Sequence, residues 1–402
     1  MPLTRYAAHA SVACLTVGLS LGSCREPTAP PPAPVTRWMA SQTGYPYARP
    51  AVSGSTVYFG TGDGQLVARD VTTGVERWRA AIGVEMIGGA NLLVRSGTVV
   101  APITGYTSGV DETRGRELWR YVSPLDTVAS RSRGGPANAG YLVRTHIDAD
   151  DQSVYIPAWG ASISAVDLHT GAARWVWRPG PSTGDTAAAG IFRSGAEGVR
   201  LSGDTLFATV WHHLTQNGVA AEAWLVALDR ATGRELWRVV MPSYTGGLVI
   251  QGAPALYMNL VIFTSAGGYC YAVDRTTRQI AWQHTPTPQH TTSAQAEVFG
   301  DVVYIDGGDD NVYALGAADG VERWHAQVGV QLTTDILATT RRLVFGSGRY
   351  LLVLNRDDGH EVLRVTQPEV SPDKSLVATT PVARGTQLFV GMNGAVWSFD
   401  QP

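Results

Sequence analysis

The chain has 402 residues, of which 44% are hydrophobic, 16% charged and 45 glycine, the make-up of a globular protein rich in turns and long enough for one large domain. A formal charge of -3, with no Lys- or Arg-rich tract, excludes an electrostatic footprint for nucleic acid or for an anionic membrane surface.

Residues 1–23 read as an export signal: a basic start at Arg5, an apolar stretch from Ala10 to Leu19, then small residues ahead of Cys24. The apolar stretch is too short to stay in a bilayer as a helix. Leu21-Gly22-Ser23-Cys24 resembles the lipobox of bacterial lipoproteins, which implies that the Cys24 thiol is acylated and becomes the new amino terminus. Residues 24–35 then form the lipidated cysteine and a tether, REPTAPPPAP, with five prolines between Pro27 and Pro34 that favour an extended polyproline II path. Membrane contact is expected through lipid alone, in the cell envelope, on an outer membrane and facing the periplasm; Arg25 in place of Asp after the lipidated cysteine agrees with outer-membrane sorting. Cys14 leaves with the signal, so only Cys270 remains in the body and no internal disulfide is expected. Cys270 stands where the equivalent stretches have Leu66, Ile163 and Leu225, as a small apolar core residue.

From residue 36 to 402 one unit repeats. An Asp and a Trp recur eight residues apart: Asp70/Trp78, Asp111/Trp119, Asp167/Trp175, Asp229/Trp237 and Asp274/Trp282. Gly316/Trp324 and Asn355/Leu363 keep the spacing with substituted ends. Glycine falls four residues after the first member at Gly74, Gly115, Gly171, Gly233, Gly320 and Gly359; Arg278 is the exception. An Asp side chain can bond the amides of the following turn, and glycine supplies the positive φ of a reversal, so each unit holds a hairpin turn. A strand such as QLVARD, ISAVD or WLVALD precedes it, a Trp-bearing strand follows, and a third run such as TVYFGT, SVYIPA or RLVFGS lies upstream.

These runs are apolar on both faces and must be covered on both sides. Trp spacings of 40, 41, 56, 62, 45 and 42 residues from Trp38 through Trp324 match a β-propeller, whose short-stranded blades pack face against face. The last unit stops at Asp400 before a Trp strand, while Trp38 precedes the first complete unit. The expectation is an all-β, eight-bladed propeller of four-stranded antiparallel blades, closed by the N-terminal strand around Trp38.

The stretch YFGTGDGQLVARDVTTGVERW resembles the repeat of the PQQ-like, quinoprotein-type β-propellers, over nearly all of the chain from Trp38 to Asp400. The repeated Trp residues, Trp237 among them, are expected to pack blades rather than to form a cofactor box. In size and targeting the chain is similar to the BamB-like lipoproteins, which help a periplasmic machine assemble outer-membrane β-barrels. That resemblance implies a non-catalytic, monomeric scaffold that binds a protein partner through loops on one face. The alternative is a PQQ-dependent dehydrogenase, which the resemblance would equip with a calcium or lanthanide ion, a catalytic Asp and a Trp platform. The adjacent cysteines that many such enzymes carry are missing here, as is a stretch gathering Glu, Asn and Asp. A third reading is a ligand-binding or sensing propeller.

Specificity is expected in the departures from the period: residues 121–140, residues 180–198, and WHHLTQNGVAAEA within the fourth unit. His212 and His213, adjacent in a strand, point to opposite faces and do not share an ion; His284 and His290 lack a Cys or carboxylate at ligand spacing. GDDN at 308–311 and NRDDG at 355–359 fall on hairpin turns of the repeat, and the GTGDG run at 60–64 precedes a strand rather than a helix. No GxSxG, HExxH, P-loop or paired CxxC occurs, so no catalytic, cofactor or metal residue is assigned.

Overall fold

The computed structural model describes residues 35–42, 46, 48–83, 89–123, 146–158, 162–179, 194–213, 221–241, 250–265, 267–286, 294–329, 331–366 and 379–401, all within one compact unit, Ala33–Pro402. The signal, Cys24 and the tether as far as residue 34 lie outside the described residues, as do Trp159, His290 and most of the two longest departures from the period.

After β1 (Thr36–Ser41), blade 1 comprises β2 (Ala51–Ser53), β3 (Thr56–Gly60), β4 (Gln65–Asp70) and β5 (Glu76–Ala81). Blade 2 comprises β6 (Leu93–Arg95), β7 (Thr98–Ile103), β8 (Tyr106–Asp111) and β9 (Glu117–Tyr121). Blade 3 has β10 (Asp148–Ala149), β11 (Ser153–Pro157), β12 (Ile163–Asp167) and β13 (Ala173–Trp177). In blade 4 the strands are longer: β14 (Ser194–Ser202), β15 (Thr205–His213), β16 (Ala221–Asp229) and β17 (Glu235–Val240). Blade 5 runs β18 (Ile250–Tyr257), β19 (Leu260–Ser265), β20 (Cys270–Asp274) and β21 (Ile280–His284). Blade 6 runs β22 (Glu297–Phe299), β23 (Val302–Asp306), β24 (Asn311–Gly316) and β25 (Glu322–Gln327). Blade 7 runs β26 (Leu337–Ala338), β27 (Arg342–Ser347), β28 (Tyr350–Asn355) and β29 (Glu361–Thr366). Blade 8 joins β30 (Val382–Arg384), β31 (Gln387–Met392) and β32 (Ala395–Asp400) to β1, in the order β1-β32-β31-β30. The eight four-stranded antiparallel blades form the propeller that the repeat requires.

The second and third strands are covered on both faces: β3, β7, β11 and β31 are buried at every position. Apolar layers fill the gap between each blade and the next, all the way round. Tyr58, Leu66 and Ala68 of blade 1 meet Val99, Ala101 and Val110 of blade 2. The last layer, Trp38, Phe389 and Val396 of blade 8 against Val57 and Phe59 of blade 1, closes the ring. Cys270 sits in the layer between blades 5 and 6, where burial pushes its thiol up, the environment of an inert core cysteine.

Within each unit the Asp holds the turn of its own blade, while the Trp acts across the blade boundary. Asp70 Oδ1 accepts the Thr72 and Thr73 amides at 2.9 Å, and its other oxygen takes the Arg77 guanidinium at 2.7 Å. Arg77 reaches back because it is the bulged residue between the pairs Arg69↔Glu76 and Ala68↔Trp78. The Trp78 indole then crosses to blade 2, donating to the Glu112 carbonyl at 3.0 Å and lying on Gly115. Trp38 does the same at Val71 and Gly74, Trp119 at Leu168 and Gly171, Trp175 at Arg230 and Gly233, and Trp282 at Ala317 and Gly320; Trp324 lies on Gly359.

Trp237 packs between blades like the other repeat Trp residues but lacks their glycine seat. It lies in the layer between blades 4 and 5 and tilts against Phe207 of its own blade at 5.8 Å, as a packing residue should. The turn position that receives the ring elsewhere is Arg278 in blade 5, so no glycine is there for the indole to lie on. Trp237 stays half-buried, and its indole N–H makes no hydrogen bond among the described residues. Arg278 itself takes a φ of +60°, so the turn keeps its path with a side chain in it.

Blade 8 has no hairpin turn to join its last two strands, yet its geometry copies the others. The Asp400 amide donates to the Val35 carbonyl at 3.0 Å, as Asp70 does to Val75 at 2.9 Å, and Arg37 pairs with Asp400 at 2.6 Å. Trp38 is thus the docking Trp of the eighth blade, and it is buried.

Strand direction gives the propeller two unlike ends. One, the turn end, carries the Asp-Gly turns and the turns from first to second strands. The other, the connection end, carries the second-to-third turns and every passage from an outer strand to the next inner one. The strands that flank the three departures from the period meet them at the connection end: β9 and β10 around 121–140, β13 and β14 around 180–198, and β15 and β16 around the interruption of the fourth unit. Part of the segment 180–198 is strand, since β14 begins at Ser194, so that departure from the period is not wholly a connection.

Gly115 separates two roles of the turn glycine. Its φ is +69° and a Cβ there would stand 2.6 Å from the Trp78 ring, whereas at Gly97, φ +80°, a Cβ meets nothing within 4 Å. Gly97→Ala is expected to cost about 1–2 kcal/mol for its left-handed backbone, and Gly115→Ala about 1–3 kcal/mol more for the displaced indole; urea unfolding measures the difference, and equal costs would refute the docking. Trp38→Ala should cost about 3–5 kcal/mol by the same measurement, because it opens the closing seam. The Arg77 contact and the turn amides hold the Asp70 carboxyl well below the ordinary carboxylate range, and Arg174 and the Thr170 amide do so for Asp167. A lowered folded pKa gives stability that is intact above the unfolded value of about 3.9 and lost as pH falls below it. The urea midpoint should therefore drop between pH 7 and pH 3, and the drop should shrink in a D70N/D167N variant.

Candidate functional site

The innermost strands are β2, β6, β10, β14, β18, β22, β26 and β30, and successive members lie side by side from β30 through β2 to β26. Polar residues stand at one equivalent position, seven residues ahead of the second strand: Arg49, Asn91, His146, Gln295, Asp335 and Thr380, with Gly198 and Ala253 completing the set in blades 4 and 5. Two residues on, the same alignment gives Asp148, Arg200 and Glu297. In six blades these residues precede or begin the first strand, at its connection end; in blades 4 and 5, where the first strands are longer, Gly198, Arg200 and Ala253 lie within them.

Many of them hand a hydrogen bond to the next blade. The Asn91 side-chain amide spans to blade 3, donating to the Ile147 carbonyl at 3.1 Å and accepting the Ile147 amide at 2.9 Å. Asp148 accepts the Leu201 amide at 2.9 Å, and Arg200 donates to the Pro254 carbonyl at 3.2 Å. Gln295 accepts the Ala253 amide at 3.2 Å, and its own amide donates to Asp335 at 3.1 Å. The Asp335 amide in turn donates to the Thr380 hydroxyl at 3.1 Å. A belt of side chain to backbone bonds so satisfies inner-strand groups that, beside a channel, have no sheet partner on that side.

Charged members of the belt meet across the axis. His146 of blade 3 and Asp335 of blade 7 come from opposite sides of the ring, yet Nε2 and Oδ2 are 3.9 Å apart and both side chains are buried. Burial pushes the Glu297 carboxyl of blade 6 up; Arg49 of blade 1, the Ala338 amide and Arg200 of blade 4 oppose the rise, and Asp335 adds to it. Groups from five blades therefore come together there: Arg49, Arg200 and Asp335 act on Glu297, and His146 lies beside Asp335.

This donor set does not fit the calcium and quinone of the enzyme alternative. A calcium ion needs six or more oxygens, but Glu297 and Asp335 are answered by Arg49, Arg200 and His146, and no group of three His, Cys, Asp or Glu that could hold a metal gathers among the described residues. Every described Trp stands on the second, third or fourth strand of its blade, so none of the innermost strands offers an indole platform.

The residues singled out in the sequence fall elsewhere. Asp70, Asp111, Asp167, Asp229 and Asp274 cap turns at the turn end, and the repeat Trp residues, Trp237 included, lie between blades. His284 lies against the Tyr313 ring at 5.0 Å, where burial lowers its pKa. GDDN and NRDDG are turns, with Asp309 holding the Asn311 amide and Asn355 the Asp357 amide. The channel residues were missed, although extending the repeat alignment seven residues ahead of the second strand would have found them.

The family profile described as outer membrane protein assembly factor BamB matches residues 35–208 and 266–401. The outer membrane protein assembly factor BamB of Burkholderia pseudomallei is 25% identical over 432 residues, 99% of this chain and 98% of that protein. The tetrathionate hydrolase of Acidithiobacillus ferrooxidans is 22% identical over 279 residues, 69% of this chain and 52% of the hydrolase, so the chain spans about half of that relative. Among solved structures, BamB from Moraxella catarrhalis matches with a TM-score of 0.56 at 18% identity, over 86% of this chain and 82% of that one, a likeness of fold. With its profile matched over more than half of the chain, on eight blades joined by the repeat, this protein belongs to the family described as outer membrane protein assembly factor BamB.

Proposed function

We propose that the protein is a non-catalytic scaffold of the cell envelope, anchored through lipid at Cys24 to the outer membrane on its periplasmic side, that assists assembly of outer-membrane proteins. It acts as a monomer, binds a protein partner through the loops at the connection end, and takes neither nucleic acid nor a metal or quinone cofactor. The family membership supports the assignment, together with the full-length match to a BamB. The observation that carries the binding mode is the asymmetry of the two ends. The strands that flank every departure from the period meet it at the connection end, while the turn end is a set of short turns whose Asp caps and ion pairs are committed to the scaffold. Variable segments on a rigid frame are where recognition is placed.

An enzymatic role, as in the tetrathionate hydrolase, would need reactive groups open to a substrate. The channel centre instead spends its carboxylates on neighbouring backbone amides, with Arg49 and Arg200 acting on Glu297, so the scaffold reading is preferred. Crosslinking in the native envelope should recover an outer-membrane assembly component, and a crosslinker placed at Val122 or Arg178, both exposed at the connection end, should recover it more efficiently than one at Arg116 or Arg234 at the turn end. Recovery of only a sugar, a peptide or an unrelated receptor would favour a sensing propeller.

A further inference from the structure

We infer that the ring is built as two arcs, blades 8-1-2-3-4 and blades 5-6-7, hinged at the two seams that lack a docked indole, and that it yields by folding along the line between them.

The contacts across each seam carry the argument. Trp38, Trp78, Trp119 and Trp175 lock the four seams of the first arc, each lying on a turn glycine of the next blade with its N–H on a carbonyl of that turn. Trp282 and Trp324 lie in the same way on Gly320 and Gly359, at the two seams of the second arc. Between blades 4 and 5 the receiving position is Arg278, φ +60°, and the Trp237 N–H makes no hydrogen bond among the described residues. Between blades 7 and 8 both halves of the lock are missing. Leu363 stands where the Trp should be, and the receiving turn is replaced by Val35 and Asp400, two separate parts of the chain that offer no glycine.

What ties these two seams together lies on first and second strands. From blade 4 to blade 5, Arg200 donates to the Pro254 carbonyl at 3.2 Å and the Thr209 hydroxyl to the Gly252 carbonyl at 2.6 Å. Arg275 of blade 5 reaches back to the Ser202 hydroxyl, at the end of β14, at 3.0 Å. From blade 7 to blade 8, the Asp335 amide donates to the Thr380 hydroxyl at 3.1 Å. Apolar layers fill both seams, so the ring rests closed. A seam bonded at its inner strands and without a lock at its outer strand has the build of a hinge. A closed ring cannot part at one seam without adjusting at another, so two such seams define one fold line, and the internally locked arcs on either side of it move as bodies. His146 of the first arc lies 3.9 Å from Asp335 of the second, so the axis joins the same two arcs and opposes the fold.

The test is thiol labelling of the folded full-length chain, with each labelled cysteine located by peptide mass. Buried reporters come in matched pairs. Ala227→Cys between blades 4 and 5 is compared with Ala165→Cys between blades 3 and 4, and Val390→Cys between blades 7 and 8 with Val166→Cys between blades 2 and 3. Cys270, buried between blades 5 and 6, is a native reporter of a locked seam. A buried thiol reacts only when its seam opens, so reporters at the two unlocked seams are expected to label about tenfold faster than their matched partners and than Cys270. Either pair alone decides this if a variant of the other fails to fold. Arg278→Gly, which supplies a seat for Trp237, should slow labelling at both Ala227→Cys and Val390→Cys several-fold and leave Cys270 unchanged. Equal rates at locked and unlocked seams overturn the hinges. Slowing by Arg278→Gly at neither reporter, at Ala227→Cys alone, or at Cys270 as well overturns the motion of two arcs.

Discussion

The structure depends on one contact, present at six of the eight seams: the flat face of an indole laid on the turn glycine of the next blade, in five of them with its N–H on a carbonyl of that turn. A single such bond adds only about 1 kcal/mol. Its importance is geometric. It fixes where the edge of one sheet meets the turn of the next, and so holds the apolar layers between second and third strands in register. The Asp serves this contact indirectly, by holding the turn whose glycine receives the ring. That is why Asp, Gly and Trp travel together in the sequence although the Trp of each unit serves the following blade.

A ring made this way must close without a loose edge, and the chain termini supply the closure. Asp400 and Val35 reproduce with two separate ends of the chain the bond that Asp70 and Val75 make within one hairpin, and Arg37 reproduces the Arg77 ion pair. The hydrogen bonds of a covalent turn are present without the turn.

The centre of the ring follows a different rule. Inner strands have a sheet neighbour on one side only, and in six of the eight blades they are two or three residues long. Side chains of Asn91, Asp148, Gln295 and Asp335 take over the bonding that a further strand would have supplied. His146 then lies beside Asp335 across the axis, and Arg49 and Arg200 bear on Glu297. A centre organised in this way suits a rigid hub better than a reactive cavity.

The eight-unit count, the turn chemistry and the closure by the strand around Trp38 were legible in the sequence because they are local: Asp, Gly and Trp at fixed spacing, strands apolar on both faces, and one orphan Trp matched to one truncated unit. Arg278 and Trp237 show the limit of such reading. The turn of blade 5 retains its left-handed residue without the glycine that announces it, and Trp237, which keeps the spacing within its own unit, loses its glycine seat because that seat belongs to the next one. The innermost strands were not legible, as two or three residues carry no periodicity. Nor was the channel centre, which joins residues from blades 1, 3, 4, 6 and 7 that are separated by up to 286 positions from Arg49 to Asp335. Repetition along the chain determined the architecture by itself, because every unit must meet a neighbour built to the same plan. Which side chains meet on the axis, and at which end the strands flanking the variable segments stop, was decided only by folding the units into a ring, because those relations are between blades and have no counterpart in sequence distance.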